Sequence, residues 1–452
     1  MKNLQITAYG ATNFVGRSAF TISDKDRTVM LDCGIELVPK KLSIAPKGVD
    51  AIAKNVDAFL LSHAHIDHSG YVPKLAQKGY RGKFYMTHPT KDIAFRLWLD
   101  HLKIEGERHW TEDDLDKTFN RIVTKKYHEK FKIADGITAE FINAGHILGA
   151  AQILIDWDGQ LILYSGDIND RQTPFFNGFE YPEEEVDILI TESTNGDRYV
   201  PERKKIDVGF RLLSKQVAES GNKMLLPSFA VGRSQELLTT LAFDDDIDDV
   251  PIYTDGMINM MNTLTEAYLT KDWVSDRFLK ELKSRKMNSP FDKENIIPIN
   301  RAQSPHQFRR QIAKSKEGAI IVTTSGMLEG GPIHTYLDFC AGNENNTLGF
   351  TGYQVEGTIG RELYDGAEEI TIFNDRRFNH PKKIKVKCKI MKFPYSGHSS
   401  AEGLAKYVKK INAKKVILVH GVEKNQLYLR NLIKEYSHPI TLEENKPEVF
   451  KM

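Results

Sequence analysis

Short hydrophobic runs that end in polar turns dominate the first two hundred residues of the chain. They include "LQITAYG", "RTVMLDCG", "DAFLLSHAH", "LILYSGD" and "DILITEST". Apolar runs of this length, bounded by Gly, Asp and Ser, predict β-strands. A helical stretch interrupts them between residues 90 and 130, where "TEDDLDKTFNRI" is amphipathic.

From Lys205 onward the pattern changes to helices that alternate with strands. Examples are "VGFRLLSKQVAES", "KMLLPSF" and "GAIIVTTSG". This alternation predicts an α/β unit with a mostly parallel sheet. Strand-like runs then return in "KIKVKCKIMKF" and "KKVILVHG". We therefore expect a first domain in two parts, residues 1–204 and 377–452, around an inserted domain at 205–376.

Composition narrows the class of protein. A chain of 452 residues exceeds one ordinary domain core, and its 62 basic and 61 acidic residues give a net charge of +1. Because the net charge is close to zero, a nucleic-acid partner must be bound by a local group of residues and not by the overall charge of the protein. The N-terminus does not resemble a signal peptide, and no apolar run reaches the roughly 18 residues of a membrane span. Three scattered cysteines without C-x-x-C spacing favour a reducing, cytoplasmic location.

The segment "LLSHAHIDHSG" carries three histidines and an aspartate within six positions. In an extended chain His63 and His65 share a face, while Asp67 and His68 fall where the strand must turn. Such nitrogen and oxygen donors suit zinc, and mixed His/Asp sites with an open position are catalytic. A single histidine is more often a structural residue, but here three histidines and an aspartate occur together.

Other candidate ligands follow predicted strands. His146 follows "AEFINAG", Asp167 ends "LILYSGD", and His420 follows "KKVILV". Asp32, at the end of "RTVML", is better placed to hold a ligand histidine by a hydrogen bond than to be a ligand itself. The alternative interpretation for each of these residues, taken alone, is that it simply forms the turn at the end of a strand. Together with the cluster they supply the donors that two metal ions require.

The motifs "HAHIDH", "AGHILGAA", "YSGD" and "VHG", in this order, resemble the metal-ligand motifs of the metallo-β-lactamase fold. The segments "ESTNGDR", "PSFAVGRSQELL", "TTSGMLEGGP" and "FPYSGHSS" resemble its nucleic-acid-processing branch with an inserted β-CASP domain. The resemblance covers essentially the whole chain. Its nearest form is the short prokaryotic homologues of the cleavage and polyadenylation specificity factor endonuclease. It implies an α/β (α+β) fold class, an αββα sandwich with an inserted α/β domain.

The resemblance also implies a dinuclear zinc site. The implied assignment is His63, His65 and His146 for one Zn²⁺, Asp67, His68 and His420 for the other, and Asp167 bridging both. Two zinc ions lower the pKa of a bridging water and bind a phosphate oxygen. Asp67 and Asp167 thereby take part in catalysis.

Two further residues match the family's motifs. His398 in "SGHSS" is the implied general acid, and Glu192 its orienting partner. The alternatives are a surface histidine in a Gly/Ser turn and a plain strand-end glutamate. The other histidines are interpreted as structural or surface residues, at positions 88, 101, 109, 128, 306, 334, 380 and 438.

Flanking segments are candidates for binding RNA phosphates. Arg233 begins a predicted helix, where its charge and free backbone N–H groups can meet a phosphate. Small residues in "TTSGMLEGGP" would let a nucleic-acid backbone come close. Arg361, at the end of "EGTIGR", is a further candidate. The alternative is ordinary loops between α/β elements. The candidates are Arg233, Ser325, Gly330, Gly331 and Arg361.

These features predict a zinc-dependent ribonuclease that hydrolyses phosphodiester bonds of single-stranded RNA, with endonucleolytic cleavage favoured. A 5′-to-3′ exoribonuclease of the RNase J type is the first alternative. A DNA nuclease is less favoured because that branch tends to carry an apolar residue where this chain has His420. A small-molecule metallo-hydrolase would not need an inserted domain. The final segment "HPITLEENKPEVFKM" is a candidate homodimer contact.

Overall fold

The computed structural model describes residues 3–39, 41–373 and 381–451. These form two compact units, one of Met1–Arg171, Asn177–Tyr199 and Gly397–Met452, the other of Gln172–Phe176 and Val200–Ser396. The second unit is thus inserted in the sequence of the first. The boundaries 204/205 and 376/377 stay predictions, and the latter lies outside the described residues, as does His380.

The first unit contains two seven-stranded sheets. In the first sheet the order is β22-β1-β2-β3-β4-β5-β6, and in the second it is β21-β20-β11-β10-β9-β8-β7. The strands of the first sheet are β1 (Asn3–Ala8), β2 (Ala19–Ser23), β3 (Thr28–Cys33), β4 (Ala58–Leu60), β5 (Phe84–Thr87), β6 (Ile122–Lys125) and β22 (Pro447–Lys451). Those of the second are β7 (Phe131–Ala134), β8 (Ile137–Asn143), β9 (Ala151–Trp157), β10 (Gln160–Tyr164), β11 (Ile188–Glu192), β20 (Lys415–Val419) and β21 (Ile440–Thr441).

The two sheets share one hydrophobic core. Alternate residues such as Ile6 and Leu31 of the first sheet lie in the same buried cluster as Phe141 and Ile155 of the second. The rings of Phe20 and Tyr164 meet across it at 5.6 Å between centroids. A period of two in the sequence places these side chains on the inner faces.

Helices accompany both sheets of the first unit, a mixed α/β arrangement that agrees with the fold class implied by the resemblance. Their bounds are α1 (Val49–Ile52), α2 (Ile66–Ser69), α3 (Val72–Gln77), α4 (His88–Glu105), α5 (Glu112–Phe119), α13 (Ala401–Ile411) and α14 (Glu423–Ile433). Local signals set their ends: Thr111 and Asp114 form a capping box at α5, and Asn412 ends α13 in the left-handed region at φ 52°.

The second unit is an α/β module. Its main sheet has the order β14-β13-β15-β12-β16-β19, every neighbouring pair being parallel. The strands are β12 (Lys223–Pro227), β13 (Ile252–Asp255), β14 (Ile296–Pro298), β15 (Ala319–Thr323), β16 (Thr347–Phe350) and β19 (Lys389–Lys392), with a separate pair β17 (Glu369–Phe373) and β18 (Pro381–Lys385). The helices are α6 (Arg203–Glu219), α7 (Arg233–Ala242), α8 (Ile258–Glu266), α9 (Asp276–Ser284), α10 (Pro305–Lys314), α11 (Ile333–Cys340) and α12 (Ile359–Tyr364).

Two details differ from the sequence-based expectation. Asp67 and His68 lie on the short helix α2 and not in a plain turn. The strands from "KIKVKCKIMKF" belong to the second unit, where β19 extends the parallel sheet beside β16. Among the described residues no helix is both long and apolar enough to cross a membrane. Cys33, Cys340 and Cys388 are free and buried.

The shared core makes Phe141 a test of the sandwich. Phe141 is fully buried, and its ring lies 5.4 Å from that of Phe131. We expect Phe141→Ala to lower the free energy of unfolding by about 3 to 5 kcal/mol, since it removes apolar contacts and leaves a cavity. Urea unfolding followed by circular dichroism measures this change. Phe141→Leu, the control, should lose less than half as much, and equal losses would contradict the packing.

Candidate metal centre

The predicted ligand side chains lie just beyond strand ends of the first unit. β3 runs parallel to β4, and β10, β11 and β20 run parallel to one another. Because the carboxyl ends of parallel strands meet at one edge of a sheet, the loops after them gather their side chains there. The gathered residues are His63 and His65 after β4, Asp67 and His68 on α2, His146 after β8, Asp167 after β10 and His420 after β20.

One group of donors consists of His63, His65, His146 and Asp167, whose ligand atoms all lie within 4.8 Å of one another. Nε2 of His146 is 3.1 Å from Nδ1 of His65. Oδ2 of Asp167 is 3.5 Å from Nε2 of His63 and 3.7 Å from Nε2 of His146. Nitrogens of His63 and His146 therefore flank one carboxylate oxygen, and His65 lies beside His146.

A second group consists of Asp67, His68 and His420. Nε2 of His420 is 3.3 Å from Nε2 of His68 and 3.3 Å from Oδ2 of Asp67. Asp167 faces this group with its other oxygen, since Oδ1 is 3.4 Å from Nε2 of His68. The two oxygens of Asp167 thus face different groups, which is the arrangement that a bridging ligand needs.

The outward nitrogens of these rings have polar partners. Nδ1 of His146 donates to the carbonyl of Gly397 at 2.7 Å, and Nδ1 of His68 donates to Oδ2 of Asp32 at 2.7 Å. In a neutral ring with a proton on Nδ1, Nε2 carries a lone pair. The lone pair of His146 therefore points at the other ligand atoms, and Nε2 of His68 also faces them, as in metal-ligating histidines.

Hydroxyl groups orient two more rings. Nδ1 of His63 lies 3.0 Å from Oγ of Ser62, and Nδ1 of His420 lies 3.1 Å from Oγ1 of Thr194. Ser62 gives its own proton to Asp32, and Thr194 gives its proton to the carbonyl of His420. Both hydroxyl oxygens are therefore left to accept from the rings. Ser62 and Thr194 were not predicted from the sequence, because only their contacts distinguish them from other hydroxyl residues at strand ends.

Asp32 collects the hydrogen bonds behind the centre. It is fully buried in β3, with φ at 54°. Its carboxylate accepts from the backbone N–H and the hydroxyl of Ser62, from His68 and from the hydroxyl of Tyr164, each at 2.7 Å. Four donors around a buried carboxylate fix its charge and its position. Its predicted role as partner of a ligand histidine agrees with this geometry and stays a prediction.

Close backbone packing holds α2 in place. The amide of Ile35 donates to the carbonyl of Ile66 at 3.0 Å, and the amide of Ser18 donates to that of Asp67 at 2.8 Å. A Cβ atom added at Gly34 would lie 1.8 Å from the carbonyl oxygen of Asp67. Only glycine fits at that position, so the sequence "DCG" is part of what places Asp67 and His68.

The donor set fits divalent cations. Nε2 of His63 and Oδ1 of Asp167 are buried and lack a hydrogen-bond partner within the described part of the chain. Burial is the largest effect on His63 and His146 and holds their pKa values well below the usual range, so both rings are neutral. Neutral imidazoles and ionised carboxylates are the protonation states that bind Zn²⁺ and similar ions.

His398 and Glu192 form a pair beside the centre. Nδ1 of His398 lies 3.1 Å from both carboxylate oxygens of Glu192 and 3.9 Å from Oδ2 of Asp167. Glu192 is fully buried and also accepts from the amide of Ile168 at 2.8 Å. Burial lowers the pKa of His398, but the charges of Glu192 and Asp167 outweigh it and raise the pKa to about 9.

The predicted phosphate-binding residues all lie in the second unit. The guanidinium of Arg233 forms an ion pair with Glu236, its side chain is 9% exposed, and it lies 5.2 Å from the ring centroid of Tyr395. Arg361 pairs with Asp365 at 2.6 Å. Ser325 Oγ is buried, and Gly330 and Gly331 have positive φ, at 103° and 81°. Their roles in binding RNA stay predictions, and the ion pair of Arg233 weakens the case for that residue.

Three family models match this chain. A Metallo-beta-lactamase superfamily domain matches residues 22–194, and a Beta-Casp domain matches residues 234–363. A Zn-dependent metallo-hydrolase RNA specificity domain matches residues 383–442.

The chain is also similar to named relatives. It is 35% identical over 419 residues to the RNase J-like protein of Methanocaldococcus jannaschii, with 91% of each chain covered. It is 32% identical over 439 residues to the transcription termination factor FttA of Methanosarcina mazei, with 93% of this chain and 67% of that protein covered. It is 30% identical over 454 residues to the endoribonuclease ysh1 of Schizosaccharomyces pombe, with 96% and 56% covered.

Similarity to a solved structure concerns the fold alone. A crystal structure of a protein of unknown function from Enterococcus faecalis aligns over 100% of both chains, with a TM-score of 0.59 and 15% identity.

The contacts of Asp32 generate a test of the metal centre. We expect Asp32→Asn to weaken binding of divalent ions by about 10-fold to 100-fold, because an amide cannot accept from all four donors and no longer orients His68. Competition with a chromophoric chelator measures the affinity. Asp156→Asn is the matched control, since Asp156 pairs with Lys130 at 3.5 Å and touches none of the ligands. Equal affinities for the two variants would contradict the role of Asp32.

Proposed function

Because this chain belongs to the metallo-beta-lactamase superfamily, in the branch that carries a Beta-Casp domain, we propose that it is a zinc-dependent ribonuclease. It hydrolyses phosphodiester bonds of single-stranded RNA, with endonucleolytic cleavage favoured. The observation that carries the proposal is the convergence of two donor groups on Asp167, with the His398–Glu192 pair beside them.

The family implies a divalent metal, and we propose two Zn²⁺ ions. His63, His65 and His146 would hold one ion, Asp67, His68 and His420 would hold the other, and Asp167 would bridge them. When bound, the ions supply Lewis acidity at a phosphate oxygen and make a water molecule acidic enough to be a nucleophile near neutral pH. Imidazole nitrogens and carboxylate oxygens are the ligands found in such catalytic sites.

His398 is the proposed general acid. Its hydrogen bonds to Glu192 through Nδ1 keep the ring oriented and protonated, so Nε2 is the atom that would deliver a proton to the leaving oxygen. The side chain of His398 is 23% exposed, whereas that of Glu192 is fully buried. The proton donor can therefore meet a substrate, while the carboxylate that holds it stays fixed.

Two kinds of observation support RNA as the substrate. Relatives of this chain are named as an RNase J-like protein and as an endoribonuclease, and residues 383–442 match a model named for RNA specificity. The name endoribonuclease favours internal cleavage.

The location and the oligomeric state are separate proposals. The cysteines are free and buried, which supports a reducing cytoplasm as the location. A homodimer through the C-terminal segment stays a prediction.

Separate substitutions should distinguish metal binding from proton transfer. We expect His398→Ala to keep its metal ions and to lose about 100-fold to 10,000-fold of the cleavage rate, which is the usual contribution of a general acid. We expect His65→Ala to lose metal and activity together. Elemental analysis and single-turnover cleavage of a labelled RNA provide the two measurements. A His398→Ala protein that cleaves RNA at the wild-type rate would exclude its role as the acid.

Circular RNA separates the two modes of cleavage. Zinc-loaded protein is incubated with a circular single-stranded RNA and with its linear 5′-monophosphate form, and His65→Ala controls for contaminating nucleases. We expect cleavage of the circle, because an endonuclease needs no end. Degradation of the linear RNA alone would instead establish a 5′-to-3′ exonuclease. If neither RNA is cut by protein that holds its metal, the proposed substrate is wrong.

A further inference from the structure

A second cluster of metal-ligating side chains lies at the C-terminal end of α4. His101, Glu105 and His109 offer ligand atoms that all lie within 4.8 Å of one another. The cluster shares no residue with the metal centre described above. The sequence alone gave no reason to single out these two histidines, because they are eight positions apart and neither follows a strand.

Helix geometry brings the three residues together. His101 and Glu105 are four positions apart on α4 and therefore lie on the same face of the helix. Gly106 ends the helix at φ 66°, a conformation that glycine adopts readily, and its amide still donates to the carbonyl of Leu102 at 2.9 Å. The chain then reverses, so that the ring of His109 comes within 6.0 Å of the ring of His101, nearly parallel to it.

The distances suit a small tetrahedral ion. Oε2 of Glu105 is 3.8 Å from Nε2 of His101 and 4.0 Å from Nε2 of His109. Ligand atoms of tetrahedral zinc lie about 3.4 Å from one another, since each bond is about 2.0 to 2.1 Å long. The two histidine–glutamate distances exceed that value by about half an ångström. Oγ of Ser43 lies 2.7 Å from Oε2 of Glu105 and 2.8 Å from Nε2 of His109.

Hydrogen bonding among the protein groups leaves one ligand atom unused. Ser43 donates its amide and its hydroxyl proton to Glu105, so its hydroxyl oxygen accepts from Nε2 of His109, whose proton a bound ion would replace. His101 is 7% exposed, and within the described residues its buried Nε2 has no hydrogen-bond partner. Burial lowers the pKa values of His101 and His109, which favours their neutral forms. A buried ring nitrogen without a hydrogen-bond partner, 3.8 Å from a carboxylate oxygen, is a position that a bound cation would satisfy.

We propose that His101, Glu105 and His109 bind a divalent transition-metal ion, with zinc as the ion that best suits two imidazoles and a carboxylate. Ser43 lies where it can complete the coordination or hold Glu105 by a hydrogen bond. The proposal does not depend on the proposed ribonuclease activity.

The ion would brace the segment that follows His68. The indole N–H of Trp98 donates to the carbonyl of Ser69 at 2.9 Å, and that of Trp110 donates to the carbonyl of Gly70 at 3.0 Å. Trp98 lies one turn before His101, and Trp110 directly follows His109. Holding the two histidines together would therefore fix both indoles against the C-terminal end of α2, at Ser69 and Gly70. This role is structural and not catalytic.

Zinc-loaded crystals of the full chain provide the direct test. Anomalous scattering at the zinc edge should show a peak between His101, Glu105 and His109, in addition to any peaks at the His63 and His68 groups. Peaks at the latter groups alone would overturn the proposal, and the three side chains would then pack together without a metal ion. Each location is observed separately, so failure of the ribonuclease proposal would not affect this result.

Metal content in solution gives a second measurement. After dialysis against zinc, wild-type protein should retain one ion per chain more than His101→Gln or Glu105→Gln. His128→Gln is the matched control, since His128 is exposed and pairs with Glu140 and Glu180 outside the cluster. It should retain the wild-type amount. Equal zinc content in all four proteins would contradict the proposal, and if a cluster variant fails to fold, the anomalous map of the wild type decides.

Discussion

The buried carboxylate of Asp32 is the constraint on which the metal centre depends. It lies behind the donor groups, away from solvent, and its charge is tolerated because four hydrogen bonds point at it. Those bonds in turn fix the ring of His68 directly and the ring of His63 through Ser62. One buried carboxylate therefore orients ligands of both groups. A substitution of Asp32 alters the site although every ligand residue is retained.

The sandwich explains why the ligands come from distant parts of the sequence. His68 and His420 are separated by 352 positions, yet their Nε2 atoms lie 3.3 Å apart. The core between the sheets fixes where each strand ends, and the loops that follow hold short polar motifs in register. Ligands mounted on strands of a common core need little reorganisation to bind an ion, which is the physical basis of a preformed metal centre.

The sequence predicts the fold class and names the side chains that the structure brings together, because strand periodicity and short motifs are local signals. Contacts over long sequence separation are not local, so the hydrogen bonds of Ser62 and Tyr164 to Asp32 and of Thr194 to His420 were not predicted. The helix α2 was missed for another reason: four residues are too few for a helical period. Arg233 stays a prediction: its position at a helix start favours a phosphate, and the structure adds an ion pair with Glu236 that the sequence did not indicate.

Two histidine–carboxylate pairs in the first unit show how the surroundings of a histidine decide whether it serves as a metal ligand or as a general acid. His68 and His398 each present Nδ1 to a buried carboxylate, Asp32 or Glu192. Burial lowers the pKa of both rings, but nearby carboxylates outweigh it, chiefly Asp167 and Asp67 for His68 and Glu192 for His398. The remaining nitrogen of His68 faces His420 and Asp167 in a buried pocket, where a cation can replace the proton. The side chain of His398 is partly exposed, so its proton is available to a substrate. A histidine paired with a carboxylate therefore favours metal binding at His68 and proton donation at His398. The surroundings of Nε2, the ring nitrogen that does not face the carboxylate, make the difference.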